Sequence, residues 1–186
     1  MGVDYGDGMR GVAGKLRALD QRLLDRLGAV DSGILDHALP RLSRAANHGK
    51  LWFGVSAVLV LTGGRDARRA ATRGLVSLGV ASGIANVVAK QVVRRVRPTA
   101  DLVPPVRWLR RAPVTTSFPS GHSASAAAFA TGAAVEMPVL AVPLGGLAAA
   151  VAISRVVTGA HYPSDVVTGV LLGAGVGAAT LRWWRR

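Results

Sequence analysis

Three short stretches of this 186-residue chain combine cations, histidines and a carboxylate at spacings that suit phosphate chemistry. The stretch SRVVTGAHYPSD, Ser154–Asp165, sets Arg155, His161 and Asp165 between two apolar runs. Asp165 lies four residues after His161, close enough for its carboxylate to accept the imidazole Nδ1–H. That bond would fix the tautomer and leave Nε2 free as a nucleophile or base. Charged groups at the border of apolar segments are costly to hold there, which makes them functional candidates. The stretch FPSGHSASAAAF, Phe118–Phe129, carries a helix start at Pro119 and Ser120, a small residue at Gly121 and a titratable group at His122. The amides of Ser120, Gly121 and His122 would point out of the helix N-terminus, where orphan donors and the helix dipole favour an anion. The stretch KQVVRRVRP, Lys90–Pro98, spaces Lys90 and Arg97 by about two helical turns, on one face, with Arg94 between them as an accessory cation. A partner anion would relieve their repulsion, and Pro98 would end the helix. Each stretch alone has a plainer reading: snorkelling cations, an N-cap beside an incidental histidine, and an Arg–Asp pair at the membrane border beside a spectator histidine.

Taken together, the stretches supply cations, a backbone nest for an anion, two histidines and an orienting carboxylate. That inventory suits phosphoryl transfer through a phosphohistidine. No acidic cluster stands ready for Mg²⁺, so the protein's own cations would have to stabilise the phosphate charge. With no Cys, thiolate chemistry, disulfides and Cys–metal sites are excluded.

The elements that must position these residues read as helices in lipid. Half of the residues are apolar, aromatics are scarce, and Gly and Ala abound, a mix that lets helices approach closely in a bilayer. Lys and Arg number 23 against 10 Asp and Glu, a net charge of +13. The charge is segregated from the apolar runs, which points to anionic membrane lipids and not to nucleic acid. Five spans are expected, over residues 45–62, 74–93, 119–138, 139–157 and 164–181, each judged against the roughly 20 residues a bilayer requires. The fold class is therefore all-α, a membrane-embedded bundle over residues 47–186. Residues 1–14 read as disordered and show neither a signal-peptide core nor a myristoylation pattern. Residues 15–46, with Leu16, Leu19, Leu23 and Leu27 near helical spacing, read as amphipathic helices on the membrane surface or packed against the bundle. The Pro-rich connection from Arg94 to Phe118 is long enough to be functional. Trp183 and Trp184 suit an interfacial anchor. Gly169, Gly173 and Gly177 form a ladder for packing within the chain or for a homo-oligomer. All three polar stretches then fall at one membrane face.

The three stretches resemble the signature of the type 2 phosphatidic acid phosphatase superfamily: K-x6-RP, then PSGH, then SR-x5-H-x3-D. Here these are Lys90 to Arg97-Pro98, Pro119-Ser120-Gly121-His122, and Ser154-Arg155, His161 and Asp165, with every spacing kept. The resemblance covers about residues 51–181. It implies that His161 takes the phosphoryl group, Asp165 orients it, and His122 protonates the leaving oxygen. Lys90, Arg97 and Arg155 would bind the phosphate with Ser120 and the amides of Gly121 and His122, with no metal and no cofactor. The chain is also similar to small actinobacterial members, which implies a polyprenyl-linked phosphate. Phosphatidic acid, phosphatidylglycerophosphate and polyprenyl diphosphate are the alternatives; a basic membrane scaffold or inactive relative is the non-enzymatic one. Vanadium haloperoxidases share the fold but are larger and soluble. Many superfamily members have six spans, whereas the N-terminal segment here is too polar for a span. With five spans, the N-terminus and the site share a side, and the excess of arginine there points to the cytoplasmic face of the plasma membrane.

Overall fold

The stretch GHSASAAAFATGAAVE is made mostly of Gly, Ala and Ser, and it forms the helix against which the helices Arg65–Gly83, Ala141–Val157 and Pro163–Ala179 pack. The computed structural model describes residues 5–89, 91, 93–109 and 115–180. Lys90, Trp183 and Trp184 lie outside these residues. In chain order the helices are α1 (Tyr5–Gly28), α2 (Leu39–Ala45), α3 (Lys50–Thr62), α4 (Arg65–Gly83), α5 (Gly121–Glu136), α6 (Ala141–Val157) and α7 (Pro163–Ala179). A π-helical segment, Ile84–Ala89, prolongs α4. Among the described residues there is no strand.

Helix α5 touches α4, α6 and α7. Its contact with α7 is as close as backbones permit: a Cβ on Gly173 would lie 2.1 Å from the Ala124 carbonyl oxygen, and one on Gly169 would lie 2.5 Å from that of Ser120. A Cβ on Gly177 would press on Thr131 and on the α5 backbone. The glycine ladder is thus buried against α5, and that face is not open to a second copy of the chain. Trp52 of α3 meets Phe129 of α5 with ring centroids 4.9 Å apart. Both rings are fully buried, with Ala70, Ala133 and Val151 around them.

Helices α3 to α7 overlap the five stretches expected as spans. Among the described residues, Pro138–Val157 is long and apolar enough to cross a bilayer, and Pro163–Ala179 is apolar but shorter. Leu61, Val142 and Leu171 stand exposed on the outer faces of α3, α6 and α7, which suits a lipid surround. Helix α4 begins at Arg65, well before the expected start of its span. Its charged first half is accommodated because Arg73 is buried and donates to Glu136 at the end of α5, 2.7 Å away.

The N-terminal helices pack on the same bundle. Helix α1 starts at Tyr5, within the stretch whose composition predicts disorder. It sets Leu24 among Ala152, Val156 and Val166. Arg107, from the Pro-rich connection, donates to Asp36 Oδ1 at 2.6 Å, to the Leu27 carbonyl at 2.7 Å and to the Val30 carbonyl, binding that connection to the end of α1. Helix α6 stops at Val157, and Gly159 takes the left-handed φ of +64°, a conformation glycine adopts without strain. The amides of Ala160 and His161 then bond back to the Arg155 carbonyl, both at 3.1 Å, and so carry His161 into the bundle.

Candidate active site

His161 is delivered by the short turn between α6 and α7 and is 2% exposed. Its Nδ1 lies 2.6 Å from the Ser117 carbonyl oxygen. A carbonyl only accepts, so Nδ1 carries the proton and Nε2 keeps its lone pair. Asp165 stands behind, with Oδ2 3.8 Å from Nδ1. The direct hydrogen bond expected between Asp165 and the imidazole is therefore replaced by one to the Ser117 backbone. The reason lies in the start of α7, where Asp165 Oδ2 accepts the Tyr162 N–H at 3.0 Å as a helix cap. Burial pushes the His161 pKa down to about 4, with Asp165 opposing and Arg97 and Arg155 reinforcing the shift. The imidazole is thus neutral at pH 7.

Arg97 is held by the Thr115 carbonyl at 2.8 Å, the Thr116 carbonyl at 3.1 Å and the Ala160 carbonyl at 2.6 Å. Its Nη1 also lies 3.2 Å from His161 Nε2, aimed at the lone pair. Burial lowers its pKa from the ordinary guanidinium value, with Asp165 opposing. Arg155 is buried at the end of α6, where one of its nitrogens donates to Ser43 of α2 while its Nε has no partner.

Ser120 caps α5: its Oγ accepts from the Ser123 N–H at 3.4 Å and pairs with Ser123 Oγ at 2.8 Å. Its own N–H donates to the Asp165 carbonyl at 3.0 Å. Ser120 is therefore fully engaged in joining α5 to α7, and the expected nest loses one of its three amides. Gly121 and His122 remain in the first turn of α5, where N–H groups lack intrahelical acceptors. His122 Nε2 lies 2.9 Å from Asn47 Oδ1.

Arg97, Gly121, His122, Arg155 and His161 all line one cavity of about 770 Å³. Trp52, Phe53, Leu78 and Val87 line the same cavity. Cations, two imidazoles and apolar side chains thus share one cavity. Among the described residues, no three His, Asp or Glu side chains gather as a metal site would require.

Arg94 is not part of this cavity. The expected helical face of Lys90, Arg94 and Arg97 fails because the backbone is non-helical from Val93 to Thr99. In extended chain alternate residues share a side, so Arg95 and Arg97 turn inward while Arg94 and Val96 are exposed. Arg94 lines a separate cleft of about 300 Å³ with Arg17 and Tyr162. Arg95, which helical spacing passes over, donates to Asp165 Oδ1 at 2.8 Å and to Asp20 Oδ2 at 2.7 Å. Burial works against its charge, but Asp20 and Asp165 outweigh that and raise its pKa. Asn47, Ser43 and Asp20 were also missed. The one signal for them was the polar opening of the first span around Asn47.

The chain is similar to known proteins over most of its length. The PAP2 superfamily profile matches residues 71–186. A decaprenylphosphoryl-5-phosphoribose phosphatase of Mycobacterium tuberculosis is 34% identical over 174 residues, covering 91% of this chain and 88% of the relative. The enzyme of that name from Mycolicibacterium smegmatis is 35% identical over 170 residues, covering 88% and 83%. The fold matches that of a transmembrane PAP2-type phosphatidylglycerolphosphate phosphatase from Bacillus subtilis with a TM-score of 0.70 at 20% identity, covering 92% of this chain and 87% of that one. The chain is accordingly a phosphoric monoester hydrolase, with a fold shared by transmembrane phosphatases. With the cavity, the motifs and these relatives in agreement, the chain belongs to the PAP2 superfamily.

Proposed function

We propose that the protein hydrolyses a lipid-linked phosphomonoester without a metal ion, through a phosphohistidine on His161. The observation that carries this reading is the shared cavity: His161 Nε2 unprotonated and facing Arg97, with Arg155 and apolar side chains lining the same space. In the first step Nε2 attacks phosphorus and the ester P–O bond breaks. His122, protonated, gives its proton to the leaving oxygen. Arg97 exchanges its contact with Nε2 for phosphoryl oxygens, and the unpartnered Nε of Arg155 and the amides of Gly121 and His122 take others. Phosphorylation makes the imidazole cationic, because Nδ1 keeps its proton. The Ser117 carbonyl holds that proton, and the Asp165 carboxylate stabilises the new charge. In the second step neutral His122 takes a proton from water, the hydroxide attacks phosphorus, and the N–P bond breaks to release phosphate and restore Nε2. Lys90 is placed with these phosphate-binding cations by motif alone, and Arg94 is left outside the site.

The substrate best suited is a polyprenyl-linked phosphomonoester of the decaprenylphosphoryl-5-phosphoribose kind. The relatives bear that name over most of the chain, and the cavity is lined by both cations and apolar side chains. Residues 47–186 form the bilayer-embedded catalytic part, with α3 to α7 as five spans and the site at the cytoplasmic face. A reporter fused to the C-terminus would then lie on the outer side; a cytoplasmic signal from it would reverse the orientation. The chemistry is tested by phosphate release in detergent from a panel of prenyl- and glycerol-linked phosphates. Activity should survive EDTA, be blocked by vanadate, be highest on prenyl-linked monoesters and vanish in His161→Ala. Full activity in His161→Ala would rule out the covalent route.

A further inference from the structure

We infer that Asp20, on helix α1, is a positioning residue that acts on the His161 site through Arg95 and Asp165. The inference rests on the phosphohistidine reading above. Asp20 lies outside residues 71–186, the part matched by the superfamily profile, and outside all three motifs. It is nonetheless 2% exposed, which for a carboxylate demands partners. Its Oδ2 accepts from Arg95 Nη2 at 2.7 Å and from Ser164 Oγ at 2.6 Å, and its Oδ1 accepts the Ser164 N–H at 2.9 Å. The last bond places a negative charge in the first turn of α7, where the helix dipole favours it.

Arg95 therefore sits between two carboxylates. Its Nη1 reaches Asp165 Oδ1 at 2.8 Å and Ser164 Oγ at 2.7 Å, and its guanidinium carbon stands 4.1 Å from the centre of the Tyr162 ring. Held from both ends, the guanidinium occupies Oδ1 of Asp165 without drawing the carboxylate away. Oδ2 is left to face the Tyr162 amide and, 3.8 Å off, His161 Nδ1. Without Asp20, Arg95 has one carboxylate instead of two, and its side chain, 19% exposed, has a way out to solvent. Asp165 would then follow Arg95, and the imidazolium formed on phosphorylation would lose its counter-charge. Substrate binding uses other groups, so the loss belongs in kcat.

The test is steady-state hydrolysis of farnesyl phosphate in detergent by the full chain and by Asp20→Asn, Arg95→Gln and the double variant. Asp20→Asn should lower kcat about tenfold, as a misplaced catalytic group does, with KM within twofold of wild type. The double variant should be no slower than Arg95→Gln, because Asn keeps an acceptor for the Ser164 N–H and the effect of Asp20 on the site passes through Arg95. Unchanged kcat in Asp20→Asn, a loss confined to KM, or a double variant slower by the product of the two single effects would each overturn the inference. Should Asp20→Asn not accumulate, Arg95→Gln against the double variant decides alone: equal rates support the inference, and a further fall overturns it. A wild type that releases no phosphate, or release that survives His161→Ala, would instead take down the phosphohistidine reading and this inference with it.

Discussion

At the scale of single residues, the site works by fixing the tautomer of its nucleophile. His161 illustrates this: the Ser117 carbonyl takes Nδ1–H, and burial keeps the ring neutral with a pKa of about 4. A histidine of ordinary pKa near 6.5 would be only about 3% neutral at pH 5. We therefore expect kcat/KM, corrected for ionisation of the substrate, to fall less than threefold between pH 7 and pH 5; a fall of about 25-fold would show an unshifted nucleophile. The same shift sets a sign for stability. The folded state disfavours the proton, so this contribution is fully present above about pH 6.5 and is lost as pH falls towards 4. The His161→Gln variant should lose less stability than wild type across that window when both are melted in detergent. The two histidines and Asp165 were legible from spacing because a turn and a helix start fix their separations locally. The Ser117 carbonyl, Asn47 and Asp20 were not, since backbone acceptors leave no trace in residue type and the other two reach the site from distant helices.

At the scale of elements, the connection between α4 and α5 does the work that its arginines advertise, but not as a helix. Its extended stretch turns Arg95 and Arg97 to one side, and Arg107 ties its later part to α1 and to Asp36. Arg107 is 1% exposed and Asp36 only partly buried. Arg107→Ala should therefore cost about 3 kcal/mol, the low end for breaking a buried pair. Arg107→Lys should recover little, because a single ammonium cannot reproduce the guanidinium's fork. Thermal melting in detergent checks both, and a loss of melting temperature no larger than that of an exposed-site control such as Arg41→Ala would show that the tie is not structural. The apolar periodicity located α3 to α7 but not their ends. Helix α4 runs back to Arg65 because Glu136, from the far end of α5, neutralises Arg73, a pairing that no local pattern encodes.

At the scale of the whole molecule, the catalytic groups arrive on separate elements, and their registration depends on how closely the helices approach. His122 rides on α5, Asp165 on α7, and the two helices meet through the Ser120 amide, the Asp165 carbonyl and the glycine ladder. The ladder was readable in the sequence, but its partner was not, since small residues in a span serve packing within a chain and between chains alike. Burial against α5 has a consequence that a dimer face would not share. Gly173→Ala places a methyl 2.1 Å from the Ala124 carbonyl oxygen and must push α5 and α7 apart. It should destabilise the protein by about 1–3 kcal/mol and slow catalysis by shifting His122 relative to His161, with no change in oligomeric state. Gly175, two residues on, has nothing within 4 Å of its own added Cβ. Gly175→Ala should leave activity intact and add a few tenths to about 1 kcal/mol through helix propensity alone. Paired melting curves, rates and light-scattering masses for the two variants separate the cases. If Gly173→Ala kept wild-type stability and rate but changed the mass, the ladder would belong to an interface between chains and not to the frame that registers the site.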